Sequence, residues 1–362
     1  MRADRIKKLQ AAMSEKGFDA LVVTSEINQR YLTGFDYTDG FVLITGKTCY
    51  LLTDFRYIEA AKAVVDASVF EIIMPKGGML DELASLLGAS GAKVAAVEEA
   101  TLSLSDFERF KNKFGGTDLV PGGSALIDTL RLYKDEEEFA SMARAQAITD
   151  AAFEHILKVL HPDMTEIEVA LELEFFMRKM GSEGIAFDTI AVSGTMSARP
   201  HGVPRPVKLE KGFFTMDFGA RVDGYCSDMT RTVVLGRADE DMKHVYNTVL
   251  HAQTAAIESL HVGMKCADAD RVARDIINAA GYEGKFGHGL GHGVGLYIHE
   301  NPRLSSAFQN DAILAPGHVV TCEPGIYLEG KYGCRIEDMI AVLPDGTIHN
   351  FTHSPKELIE LF

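Results

Sequence analysis

A chain of 362 residues exceeds one ordinary compact domain, so two domains are expected. Hydrophobic residues make up 46% and charged residues 24%, enough apolar material for a large core without disulfide or metal staples. The net charge of −16 argues against nucleic acid or an anionic membrane surface as the main partner, because phosphate calls for a basic patch. Cys49, Cys226, Cys266, Cys322 and Cys334 are odd in number, dispersed and free of CxxC, a pattern that reads as reduced thiols in a cytoplasm. The N-terminal stretch MRADRIKKLQAAM is basic but lacks the apolar core of a signal peptide, and no apolar run is long enough for a membrane span.

In chain order, Ile6, Leu9 and Met13 sit at helical spacing ahead of Gly17. Residues 20–24, 41–45, 70–74 and 92–98 read as strands, and 55–65 and 79–87 as helices between them. This is an α/β domain over 1–124. The stretch PGGSALIDTL (121–130) reads as the linker to a second domain over 125–362. A long amphipathic helix carrying Phe139, Met142, Ala145, Ala152, Phe153, Ile156 and Leu160 opens that domain. A capping box at Thr165 and Glu168 starts the next helix, which ends near Gly181. Strands, helices near 240–260 and 267–280, and further strands complete an α+β pattern in which no internal repeat is evident.

Three segments carry chemistry. In FFTMDFGARVDGYCSDMTRTVVLG (213–236), Asp223-Gly224 is a two-residue hairpin turn. Pairing Val222 with Tyr225 sets Asp217 opposite Thr230, and period-two alternation puts Asp217 and Asp228 on one face. Carboxylates that close repel unless a cation neutralises them; a polar hairpin face is the plain alternative. In FGHGLGHGVGLYIHENP (286–302), His288, His292 and His299 lie among five glycines within 287–296. A single histidine is more often a satisfied core residue, but three together point to metal or acid–base chemistry. In VVTCEPGIYLEGKYGCRIEDMIAV (319–342), Glu323 and Glu337 interrupt apolar runs. Burial there is costly unless each is paired, as Arg335 with Glu337, or metal-bound. Four carboxylates and one imidazole suit Mn(II), Co(II) or similar ions, and Zn(II) and Fe(II) also occupy such sites. Two ions about 3.5–4 Å apart can hold a hydroxide and polarise a carbonyl, as amide hydrolysis requires.

With these motifs the chain resembles the pita-bread metallopeptidases: methionine aminopeptidases, aminopeptidase P, prolidase and the non-metal creatinase. INQRYLTGF (27–35) and TDFRYIEAA (53–61) resemble the N-terminal domain of creatinase and prolidase, and the remainder resembles the catalytic fold. The resemblance implies five metal ligands: Asp217, Asp228, His292, Glu323 and Glu337. It also implies that Asp228 and Glu337 bridge two divalent ions and that Glu323 shuttles the proton. By the same resemblance His201 contacts substrate, His299 steadies the carbonyl and its oxyanion, His288 lies near the proline pocket, and Arg335 orients the bridging Glu337. Tyr225 and Phe187, with Asp188, are implied to line the pocket. Cys334 and Arg199 depart from the family pattern, and Arg199 bears on specificity near His201. Cys226, Cys322 and Cys334 lie close to the ligands in sequence and read as small core residues rather than as ligands themselves.

The implied activity is exopeptidase action on short proline-containing peptides, by a homodimer. The choice between aminopeptidase P and prolidase turns on Gly289: prolidases commonly place Arg after the histidine matching His288, so glycine leads to an expectation of Xaa-Pro aminopeptidase, with Xaa-Pro dipeptidase as the alternative. A metal-free binding module is the reading from another class, and it is disfavoured because all five ligand positions are kept.

Overall fold

The computed structural model describes residues 2–307 and 311–362. The chain forms two compact units, 1–131 and 132–362. The first contains helices α1 (Arg2–Glu15), α2 (Glu26–Thr33), α3 (Ile58–Val64), α4 (Met79–Ser90), α5 (Leu104–Lys113) and α6 (Gly123–Leu132). Its strands are β1 (Ala20–Val23), β2 (Gly40–Thr45), β3 (Cys49–Thr53), β4 (Phe70–Ile73), β5 (Val94–Val97) and β6 (Asp118–Pro121). The strands form one mixed sheet in the order β4-β3-β2-β1-β5-β6. Ala20, Val22, Leu43, Leu52, Leu83, Leu87 and Phe110 pack its core. The stretch 121–130 is no open linker: it ends β6 and forms most of α6, whose Leu126 and Ile127 are buried. Apolar side chains at helical spacing outweigh the turn signal of Pro121-Gly122-Gly123 there, so the boundary expected at 124 falls inside a helix.

The second unit opens with α7 (Glu136–Val159) and α8 (Glu166–Lys179), both started by capping boxes, at Asp135/Glu138 and Thr165/Glu168. Then come β7 (Ile190–Ser193), β8 (Gly212–Phe218), β9 (Arg221–Val222), β10 (Tyr225–Cys226) and β11 (Met229–Leu235). Helices α9 (Glu240–Ser259) and α10 (Cys266–Ala279) follow. The remaining strands are β12 (Gly291–Gly293), β13 (Glu300–Leu304), β14 (Val319–Cys322), β15 (Gly325–Leu328), β16 (Tyr332–Arg335), β17 (Asp338–Val342), β18 (Ile348–Asn350) and β19 (Glu360–Leu361). The sheets run β19-β11-β8-β7 and β13-β12-β14-β17-β18.

These sheets show a duplication that the sequence reading missed. A helix pair and three antiparallel strands, with a two-stranded hairpin between the second and third, occur as α7-α8-β7-β8-β9/β10-β11. The same series returns as α9-α10-β12-β14-β15/β16-β17. Leu160, His161, Met164 and Gly181 recur 100 positions later as Leu260, His261, Met264 and Gly281. Equivalent backbone bonds close both halves, Leu209 N to Met164 O at 3.0 Å and Leu314 N to Met264 O at 2.9 Å. The matching residues shape turns and packing, and so few identities are invisible to a search for similar words. Among the described residues no helix is long and apolar enough to cross a membrane.

Candidate metal centre and its cavity

The first hairpin forms as its turn dictates. Asp223 and Gly224 have φ of 51° and 85°, the left-handed pair of a type I′ turn. Val222 pairs with Tyr225, and Asp217 with Thr230. Asp217 sits near the end of β8 and Asp228 just before β11. The second half repeats the arrangement: Glu323 follows β14 and Glu337 precedes β17. Each hairpin thus offers one carboxylate where a strand ends and another where its partner begins.

His292 on β12 joins them. Its Nε2 lies 3.5 Å from Asp228 Oδ2 and 3.4 Å from Glu323 Oε1. Its Nδ1 is 3.1 Å from the Gly293 carbonyl. A carbonyl only accepts, so Nδ1 carries the proton and Nε2 keeps its lone pair towards the carboxylates. Asp228, His292 and Glu337 offer donor atoms all within 4.8 Å of one another.

Arg335 and Thr230 fix the carboxylates. Arg335 donates from Nη2 to Asp217 Oδ2 at 2.6 Å and from Nε to Thr230 Oγ1 at 2.9 Å. Thr230 Oγ1 donates to Glu337 Oε2 at 2.6 Å. Arg335 Nη1 donates to Tyr327 Oη at 3.0 Å, and that hydroxyl lies 2.9 Å from His288 Nε2. Since the guanidinium can only donate, the tyrosine hydroxyl passes its own proton towards His288, whose Nδ1 meets the Gly289 carbonyl at 2.9 Å. His288 is therefore held as one neutral tautomer.

Without a cation this group is electrostatically unfavourable. Burial, then repulsion from Glu337, pushes Asp228 well above the usual carboxylate range. Burial and repulsion from Glu323 do the same to Glu337. Burial raises Asp217 against the pull of Arg335 and raises Glu323 to about 8. Burial also lowers His292 to about 3 and His288 to about 4, and it lowers His299. Asp217 Oδ1 is buried with no hydrogen-bond partner among the described residues. An orphaned carboxylate oxygen, clustered acids and a lone pair from a neutral imidazole are what a divalent cation would satisfy.

A cavity of about 810 Å³ opens over the group. It is lined by the five expected ligands and by Arg335, His201, His288, His299, Phe187 and Asp188. Tyr225 is not in that lining: its hydroxyl donates to Glu138 Oε1 at 2.7 Å. Tyr225 stands an odd number of positions from Asp228, so strand alternation itself turns it to the other face. Thr230, Tyr327 and Arg303 were not singled out from sequence. Thr230 was legible as the cross-strand partner of Asp217, whereas Tyr327 and Arg303 gave no signal of their own.

Fold and site together define a peptidase of the metal-dependent kind. The model of metallopeptidase family M24 matches residues 140–344, that of the creatinase/prolidase N-terminal domain matches residues 5–133, and the chain belongs to this family. It is 35% identical over 358 residues to a Xaa-Pro dipeptidase of Pyrococcus horikoshii, covering 98% of this chain and 99% of that protein. Among solved structures, a Xaa-Pro dipeptidase from Bacillus anthracis matches with a TM-score of 0.95 and 42% identity, each chain covered completely at 100%. An X-Pro aminopeptidase from Thermotoga maritima matches with a TM-score of 0.89 and 37% identity, covering 95% of this chain and 98% of that one.

Proposed function

We propose that the protein is a Xaa-Pro dipeptidase, releasing proline from dipeptides with the help of two divalent ions. Its full-length likeness to proteins described as Xaa-Pro dipeptidases carries this reading. The expectation of an aminopeptidase rested on Gly289, and packing supplies a different reason for that glycine. A Cβ there would lie 2.9 Å from the Leu304 carbonyl oxygen and 3.0 Å from Ser305 Cβ. Glycine at 289 therefore serves the close approach of β13 and says little about substrate length. The cavity has its own guanidinium, Arg303, on β13 opposite His292. Arg303 is the group we assign to the free carboxylate of a dipeptide.

Asp217, Asp228, His292, Glu323 and Glu337 are the residues that would hold the ions, with Mn(II) or Co(II) suited to this oxygen-rich set. Ions bound there would polarise the scissile carbonyl and make a water nucleophilic near neutral pH. Glu323 accepts the proton of that water and returns it to the leaving nitrogen of proline. That proton lets the proline nitrogen depart as an amine when the C–N bond breaks. His299 donates to the carbonyl oxygen as negative charge develops. His288 and Phe187 wall the proline ring, His201 contacts the residue before it, and Arg335 keeps Asp217 in place.

The test supplies metal-stripped protein, reloaded with Mn(II), with Ala-Pro, Ala-Pro-Ala and Met-Ala-Ala, and follows products by mass spectrometry. Preferential cleavage of Ala-Pro supports the reading, and Arg303→Met should then raise KM for Ala-Pro more than for Ala-Pro amide. Faster release of Ala from Ala-Pro-Ala would move the protein to the aminopeptidases, the reading that the Thermotoga maritima match favours. No turnover of any of these would refute both.

A further inference from the structure

His299 stands at the end of the loop 294–299, between β12 and β13, with its ring 4.4 Å from that of His292 and inclined at 80°. What gives this loop its shape is a buried carboxylate on the next residue. Glu300 Oε1 accepts the backbone N–H of Tyr297 at 3.0 Å, and Oε2 accepts from Lys134 Nζ at 3.2 Å. The Lys134 and Glu300 side chains are only 1% and 6% exposed. The carboxylate fills the inside of the loop: a Cβ on Gly295 would lie 2.6 Å from Glu300 Oε2. Lys134 is itself held, since its N–H donates to the Gly317 carbonyl at 2.8 Å.

The opposite side of the loop is tied to the first hairpin. Cys226 N donates to the Gly295 carbonyl at 2.8 Å, and the Cys226 thiol lies 3.8 Å from the Leu296 carbonyl oxygen. Tyr225 donates to Glu138, whose other oxygen accepts Asp135 N at 2.9 Å at the start of α7. Thus Lys134 and the cap of α7, neighbours in sequence, grip the loop from two directions.

Ion pairs this deeply buried add little net stability, because desolvating both charges offsets their attraction. The pair is better explained by the geometry it imposes. We propose that Glu300 and Lys134 are positioning residues for His299, fixing the 294–299 loop so that the imidazole meets the reacting carbonyl. The kinetic part of this inference rests on the peptidase reading above, whereas the geometric part does not.

The test is a double-mutant cycle with a spectroscopic control. Removing a well-placed oxyanion donor costs about 10²–10³ in kcat, which sets the scale for His299→Ala. Glu300→Gln keeps an oxygen for Tyr297 N but loses the charge opposite Lys134. It should lower kcat on Ala-Pro by about 10-fold or more with KM little changed, and should add less than about twofold in the His299→Ala background. Lys134→Arg should retain most of the rate. Should Glu300→Gln fail to fold, the neutral pair Lys134→Met with Glu300→Gln replaces it in the cycle, since it leaves no lone buried charge. Independent, multiplying losses would overturn the proposal, as would wild-type kcat in the Glu300 variant. Histidine side-chain NMR of metal-free protein gives a readout that needs no substrate. The His299 resonance should shift or broaden in the Glu300 variant while that of His201 stays put, and an unmoved His299 signal would overturn the proposal even if the substrate assignment stands.

Discussion

Thr230→Val is a substitution of nearly equal shape that removes a single hydroxyl from the centre of the site. That hydroxyl accepts from Arg335 Nε at 2.9 Å and donates to Glu337 Oε2 at 2.6 Å. Both partners are buried, at 4% and 2% exposure, and both are charged once a cation neutralises the carboxylate group. A hydrogen bond to a charged group contributes about 1.5–3 kcal/mol, and two are lost together, so unfolding of the metal-bound protein should be easier by about 3–6 kcal/mol. Loss of an outer partner of a metal ligand typically weakens affinity by about 10–100-fold. Calorimetric titration of Mn(II) into stripped protein reads the second effect and thermal unfolding the first. Thr230→Ser, which keeps the hydroxyl, should stay close to wild type. If Thr230→Val bound Mn(II) within about twofold of wild type and kept its Tm, the idea that Thr230 holds Glu337 in place would be wrong.

Glu323→Gln preserves size but removes the proton acceptor, so the rate on Ala-Pro should fall by about 10²–10⁴ with the protein still folded. Near-normal turnover would exclude the proton-shuttle role. The metal-free protein should also have an unusual pH dependence. Burial raises Glu323 in the folded state from 4.5 to about 8, and Asp217, Asp228 and Glu337 are raised as well. A folded-state value above the unfolded one means that the stability present at low pH is lost as pH climbs through that window. The Tm of stripped protein should therefore fall between pH 4.5 and 8, with the protection gained from Mn(II) growing over the same range as the ligands shed their protons. A metal-free Tm that stays level or rises would contradict this account.

The first hairpin was legible because its turn and alternation are local. Asp223-Gly224 fixes the register, and register fixes which side chains share a face with Asp217. The second hairpin offers no such two-residue turn: Leu328 pairs with Tyr332 across Glu329, Gly330 and Lys331. Its glutamates could be seen only as charges set among apolar residues. The steric reason for Gly289 lies on β13, at the Leu304 carbonyl, which local sequence does not display. Likewise α6 overrode a strong turn signal by burying Leu126 and Ile127, a tertiary effect. The link from Arg335 through Tyr327 to His288 joins three separate segments, and it becomes visible only when they are folded together.

The repeated halves of the catalytic unit are not identical where ions would bind. A perfect repeat would present two identical donor sets related by symmetry. Here the counterparts of Asp217 and Asp228 are Glu323 and Glu337, one methylene longer, and His292 stands 100 positions after Val192, which has nothing to coordinate with. The near-symmetric frame is thus broken at the candidate ligands, towards the half that carries the imidazole. Two ions in such a frame would meet unequal surroundings, so loading should proceed in two steps of different affinity, with the first ion changing the field that the second one meets.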